Sequence, residues 1–165
     1  MSSILNSTFG RLLVAGVVIL GAIIAWILIS PLFINNTVQE EAVSPQATIS
    51  HNGSFMDADR AHQGSGAVSV QVNTDGTRTL RFEDFEGTNG PDLFVWLTSV
   101  DDVQGNRRSV GGDAVVDLGR LKGNVGSQNY EIPADVDLSE FDTVIVWCRA
   151  FGVLFSFAEL SLAEV

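Results

Sequence analysis

The sequence predicts an all-β domain, an antiparallel β-sandwich or barrel-like fold preceded by one N-terminal transmembrane helix. Three observations predict it. Residues 12–34 form a run of 23 residues without a charge. Beyond it, short β-rich runs recur at near-regular spacing with Gly and Pro between them, the pattern of an antiparallel sandwich or barrel. No stretch past residue 34 has helical periodicity, apart from a single turn expected over 138–141.

The apolar run, LLVAGVVILGAIIAWILISPLFI, would be about 34 Å long as a helix, enough to cross a ~30 Å hydrocarbon layer. A buried core helix of this length would carry a polar stripe, and this one carries none. A cleaved signal peptide would have a shorter apolar region with a small-residue site close behind it. Here the nearest such site, Ala42-Val43-Ser44, is followed by Pro45, and no cysteine stands near the run to make a lipoprotein anchor. An uncleaved signal anchor is therefore expected over 12–34. Arg11 and the amino terminus precede it, Glu40 and Glu41 are the first charges after it, and no Lys or Arg follows until Arg60. The positive-inside rule then puts residues 1–11 in the cytoplasm and the rest outside, at the cell membrane.

Residues 35–50 (NNTVQEEAVSPQATIS) lack periodicity and contain a proline, so a flexible linker is expected there. Asn35-Asn36-Thr37 and Asn52-Gly53-Ser54 fit the glycosylation sequon. From 51 to 165 the signals are strand signals. Val68, Val70 and Val72 alternate with polar residues, as do Leu80 and Phe82. A turn cluster over 87–92 precedes LFVWLT (93–98), which is apolar on both faces. Gly111-Gly112 precedes a short run over 114–118, and Gly119, Gly123 and Gly126 punctuate a loop before a strand over 129–132. TVIVWC (143–148) and VLFSFAEL (153–160) are dense apolar runs, expected as central strands of the core.

Composition excludes several function classes. The part beyond residue 34 holds eight basic against twenty acidic residues, a formal −12, which repels phosphate backbones and anionic headgroups. Nucleic acid is therefore not an expected partner. One lysine stands against eight arginines, a surface suited to salty surroundings or simply to solubility. No G-x-S-x-G elbow, P-loop, H-E-x-x-H or C-x-x-C occurs, so no enzyme signature is found. Asp135-Val136-Asp137-Leu138-Ser139 imitates the start of a calcium loop, but its twelfth position is Val146 rather than a bidentate glutamate. Asp101-Asp102 reads as a solvated loop.

Cys148 is the one cysteine, so it has no partner for a disulfide within its own chain. Two readings stay open: a buried cysteine acting as a small hydrophobe beside Val144 and Val146, or a redox thiol or cofactor ligand. A blue-copper set of two His, one Cys and one Met exists as an inventory (His51, His62, Met56, Cys148), but its members do not cluster in sequence. Covalent haem is excluded by the absence of C-x-x-C-H. The cofactor is left open between none, a non-covalent haem and a metal held through Cys148, with His62 as a second candidate ligand.

Residues 51–165 resemble the DM-thirteen domain, also called the electron-transfer DM-thirteen domain. The resemblance is carried by Gly53-Ser54-Phe55, Ala61-His62-Gln63-Gly64-Ser65-Gly66 and Leu80-Arg81-Phe82-Glu83-Asp84-Phe85. It continues through Thr88-Asn89-Gly90-Pro91-Asp92-Leu93, Leu118-Gly119-Arg120-Leu121-Lys122-Gly123-Asn124 and Gly126-Ser127-Gln128-Asn129-Tyr130, and ends on Val146-Trp147-Cys148-Arg149-Ala150-Phe151. It implies an extracytoplasmic β-sandwich-like module with a role in electron transfer through the family cysteine, which matches Cys148.

Two functions are therefore expected in competition. The first is a membrane-anchored redox or electron-transfer module centred on Cys148, with Trp147, Phe151 and Phe155 around it and a separate redox partner protein. The second is a non-redox binding module displaying the loops 87–92 and 118–126. A free outer cysteine also permits a disulfide-linked dimer.

Overall fold

The structure, a computed structural model, describes residues 8–29, 34–44, 46–100, 103, 110 and 115–163. Asp101-Asp102, Gly111-Gly112, Ala114 and the extreme N-terminus, all given roles above, lie outside the described residues. The chain divides into two units, Met1–Ile34 and Asn35–Val165.

The first unit is a helix, α1 (Thr8–Ile29). It starts four residues before the expected 12–34, and residues 30–33 of that run lie outside the described residues. Its 20-residue stretch Thr8–Ile27 has a mean hydropathy of 2.3, suiting a membrane span or a signal sequence. The described large apolar side chains from Phe9 to Ile27 are exposed.

The second unit is a two-sheet β-sandwich. Its strands are β1 (Thr37–Gln39), β2 (Thr48–Ser54), β3 (Met56–Asp57), β4 (Gly64–Val72), β5 (Arg78–Gly87) and β6 (Leu93–Thr98). They continue with β7 (Val115–Arg120), β8 (Val125–Ile132), β9 (Thr143–Cys148), β10 (Val153–Glu159) and β11 (Ser161–Leu162). One sheet runs β1-β8-β5-β4-β2-β11 and the other β3-β10-β9-β6-β7. All the pairings are antiparallel except β1 with β8.

Period-two alternation builds the main core. Val68, Val70, Leu80, Phe82, Phe85, Tyr130 and Ile132 from the first sheet meet Leu93, Val95, Leu97, Val144, Val146 and Ala158 from the second. Strands β6, β9 and β10 are apolar on both faces because a second cluster covers their outer face. There Phe94, Trp96, Ile145, Trp147, Leu154 and Phe157 pack with Ala58, Val103 and Val110. Bulges in β4 and β5 face one another: Gly66 (φ 110°) leaves the close approach that the Asp84 carbonyl needs, and Asp84 itself takes φ 48°.

The segment 35–50 is not a free linker. Thr37, Val38 and Gln39 pair with Val125, Gly126 and Ser127, and β2 already begins at Thr48. The polar run hides this because its pairing is with a strand almost ninety positions away, beyond the reach of local periodicity.

A sealed cysteine at one end of the sandwich

Four of the sequence motifs come together where β4, β6, β8 and β10 begin and where β5, β7 and β9 end. Backbone hydrogen bonds stitch them. Thr88 N donates to Gln63 O (2.9 Å), Gly87 N to Asn124 O (2.8 Å), Leu121 N to Leu93 O (2.9 Å) and Arg149 N to Asp92 O (3.0 Å). Side chains repeat the links: Gln63 N donates to Thr88 Oγ1 at 2.9 Å, and Asn124 Nδ2 to Gly87 O at 3.1 Å. Asp92 receives two guanidinium groups, Arg120 at 2.7 Å and Arg149 at 3.4 Å. Both guanidinium groups also lie over the Phe94 ring, at 5.0 and 4.0 Å from its centroid.

Cys148 ends β9 and is 0% exposed. Its parity with Val144 and Val146 turns the sulfur into the main core, opposite Leu93 on β6 and Val153 on β10. Of the three aromatics expected around it, only Phe155 shares that core. Trp147 points to the other face, stacked on Trp96 at 5.8 Å, because neighbours on a strand face opposite ways. Phe151 sits in the β9–β10 turn and is 71% exposed.

His62 stands on the turn between β3 and β4, with its ring 4.5 Å from that of Phe155. Asp59 fixes it: Asp59 Oδ1 accepts from Ala61 N and His62 N (both 2.9 Å) and lies 2.9 Å from His62 Nδ1. That hydrogen bond from His62, with the two backbone N–H groups, holds the Asp59 carboxyl well below the usual carboxylate range. Phe155 thus connects the two residues singled out in the sequence, touching His62 and packing in the core that holds Cys148. Gly90 lets the 87–92 loop close on it, since a Cβ there would lie 2.9 Å from both Phe155 and Leu93.

The copper inventory does not assemble. His51 lines a groove with Asp135, Asp137 and Ser139 at the opposite end, and Met56 is exposed on β3. No group of three His, Cys, Asp or Glu stands close enough to hold a metal among the described residues. A haem does not fit at Cys148 either: the residue is fully buried, opposite Leu93 and Val153 in the core it shares with Phe155, which leaves no open face beside the sulfur. The calcium-like run is an Asx turn, with Asp137 Oδ1 accepting from Ser139 N (2.9 Å) and Oγ (2.8 Å).

Sequence reasoning missed Gln128. It is fully buried, and its Oε1 accepts from Tyr130 Oη (2.7 Å), Lys122 N (3.2 Å) and Gly123 N (3.2 Å). Its Nε2 donates to Gly123 O at 2.9 Å, so one amide shapes the whole β7–β8 loop. Burial pushes the Tyr130 phenol well above its ordinary range, keeping it a donor. The signal was present: Gln128 shares its strand parity with Tyr130 and Ile132, a polar side chain at a core position.

Beside this end lies an open groove of about 520 Å³, lined among others by Asp57, Gln63, Glu86, Thr88 and Asn124. Residues 54–160 match the family model described as electron transfer DM13. No curated protein and no solved structure matches the chain.

Proposed function

The chain belongs to the electron transfer DM13 family, and we propose that it serves as a membrane-anchored, extracytoplasmic redox module whose working group is the Cys148 thiol. The observation that carries this reading is the convergence of the family-like motifs on the strand ends around one sealed cysteine. A bare thiol fits the packing where a haem does not. With a single cysteine, two-electron chemistry is a disulfide exchange with another molecule. The Cys148 thiolate attacks a partner's disulfide, a protein–partner disulfide forms, and the displaced partner thiolate takes up a proton. Because the sulfur is fully buried, exchange needs the 87–92 and 121–124 loops to open, and a disulfide to a second copy would need the same opening. The helix α1 supports the anchor, and the charges flanking it support an outer location for the domain.

A second reading, a binding module, is favoured by the polar groove beside the 87–92 loop, rich in hydrogen-bonding side chains and ready for a polar ligand. One experiment separates the two. The full chain in detergent micelles is equilibrated with glutathione at graded redox poise, and the mixed disulfide on Cys148 is followed by mass spectrometry. Reversible modification with a defined midpoint, the fold intact by circular dichroism, is the expected result. A thiol that reacts only after denaturation would sink the redox reading.

A further inference from the structure

Residues 35–41 precede the part of the chain that matches the family, yet β8 and its loop are built to receive them. Gly123 and Gly126 supply the room: a Cβ on Gly123 would collide with the Asn36 carbonyl oxygen, and one on Gly126 with that of Val38. Asn124, almost wholly buried, accepts from Asn36 N at 2.7 Å and donates to Asn35 Oδ1 at 2.9 Å. Glu40 N donates to Ser127 O (2.8 Å), and the Glu40 carboxylate takes the chain's one lysine, Lys122 (2.8 Å), and Asn129 N (2.7 Å). Arg81, itself buried, donates to Glu40 O at 3.2 Å.

We propose that residues 35–41 form a strap whose docking on β8 sets how readily the Cys148 end opens, a regulation that rests on the reading of Cys148 as the working thiol. The connection is a continuous set of contacts. Asn124 holds the strap with one part of its amide and Gly87 with the other. Gly87 leads to Thr88, paired both ways with Gln63, and His62 beside it lies on Phe155. Phe155 and Leu93 pack in the core that contains Cys148. The strap is the two-state element that such coupling requires, since three residues of edge strand held by side chains can leave while the sandwich stays folded. Release frees Asn124 from Asn36 and loosens the loops that cover the sulfur.

The test uses the full chain in detergent micelles and two variants that leave the loops over Cys148 untouched. Asn36→Ala removes the strap's side-chain bond to the Lys122 carbonyl, and Glu40→Ala removes its carboxylate grip. Hydrogen exchange over residues 35–41 reports release. Reaction of Cys148 with an aromatic disulfide reagent reports opening: the sulfur forms a disulfide with the reagent, one coloured thiolate leaves, and the thiol proton goes to buffer. In at least one variant, fast exchange in the strap should accompany reaction about tenfold faster than in the parent chain, within the usual range of coupling between sites. A released strap with an unchanged reaction rate would overturn the coupling, and slow exchange in both variants would overturn the docking argument itself. A Cys148 that opens on release but shows no glutathione midpoint would sink the redox reading alone.

Discussion

Replacing Gln128 with methionine, nearly its equal in volume, should cost about 3 kcal/mol. The change leaves three buried groups without partners: Gly123 N, Gly123 O and the Tyr130 hydroxyl hydrogen. Lys122 N keeps Tyr130 Oη as an acceptor at 3.2 Å and is not stranded. Each stranded group costs about 1–2 kcal/mol, and the methionine's apolar tail offsets about 1 kcal/mol of the sum. For a domain of this size about 3 kcal/mol corresponds to roughly 12 °C in Tm. Thermal unfolding of the full chain in micelles, followed by tryptophan fluorescence, measures it directly, since Trp96 and Trp147 are buried in the domain. A shift below about 4 °C would show that the loop finds other partners and that the amide is not its organiser. The same variant should leave α1 unchanged, because the helix belongs to the other unit.

Other outcomes follow from the same geometry. Cys148→Ala should destabilise by about 1 kcal/mol and Cys148→Ser by about 2 kcal/mol, because the hydroxyl enters an apolar core; urea unfolding separates them. Gly90→Ala should cost about 2 kcal/mol by overpacking against Phe155 and Leu93 and should speed thiol labelling of Cys148. The strap should be acid-labile. Burial alone would raise the Glu40 carboxyl, but the bonds from Lys122 and Asn129 and the nearby Arg81 charge outweigh it and hold it below its ordinary 4.5. A depressed carboxylate stabilises above its unfolded value and loses that contribution as pH falls through the folded one. Exchange over residues 35–41, corrected for the intrinsic pH dependence, should therefore quicken below pH 4.5, and Glu40→Gln should flatten that response.

The sandwich was legible because its strands obey local rules. Val68 and Val70, Leu80 and Phe82, and the runs that became β6, β9 and β10 carry period-two or two-faced apolar patterns that need no partner to be seen. The burial of Cys148 could also be read, from its parity with Val144 and Val146. What could not be read was long-range. Thr37-Val38-Gln39 has no strand pattern of its own and becomes a strand because Asn124, Glu40 and two glycines hold it against β8. The site is likewise a matter of pairing: that Gln63 meets Thr88, and that Asp92 takes both Arg120 and Arg149, depends on which strands end together. Trp147 and Cys148 are neighbours in sequence and lie on opposite faces, so adjacency misled where alternation would not have.

The parallel pairing of β1 has a mechanical consequence. Thr37 enters beside Val125, at the Cys148 end, while Leu162 leaves beside His51 at the other, so the chain is threaded lengthwise through the first sheet. A pull along the chain would load β1 against β8 in shear, so that its hydrogen bonds must fail together rather than one after another. The short edge strand, weak by its length, is placed where a stretched polypeptide meets its greatest resistance.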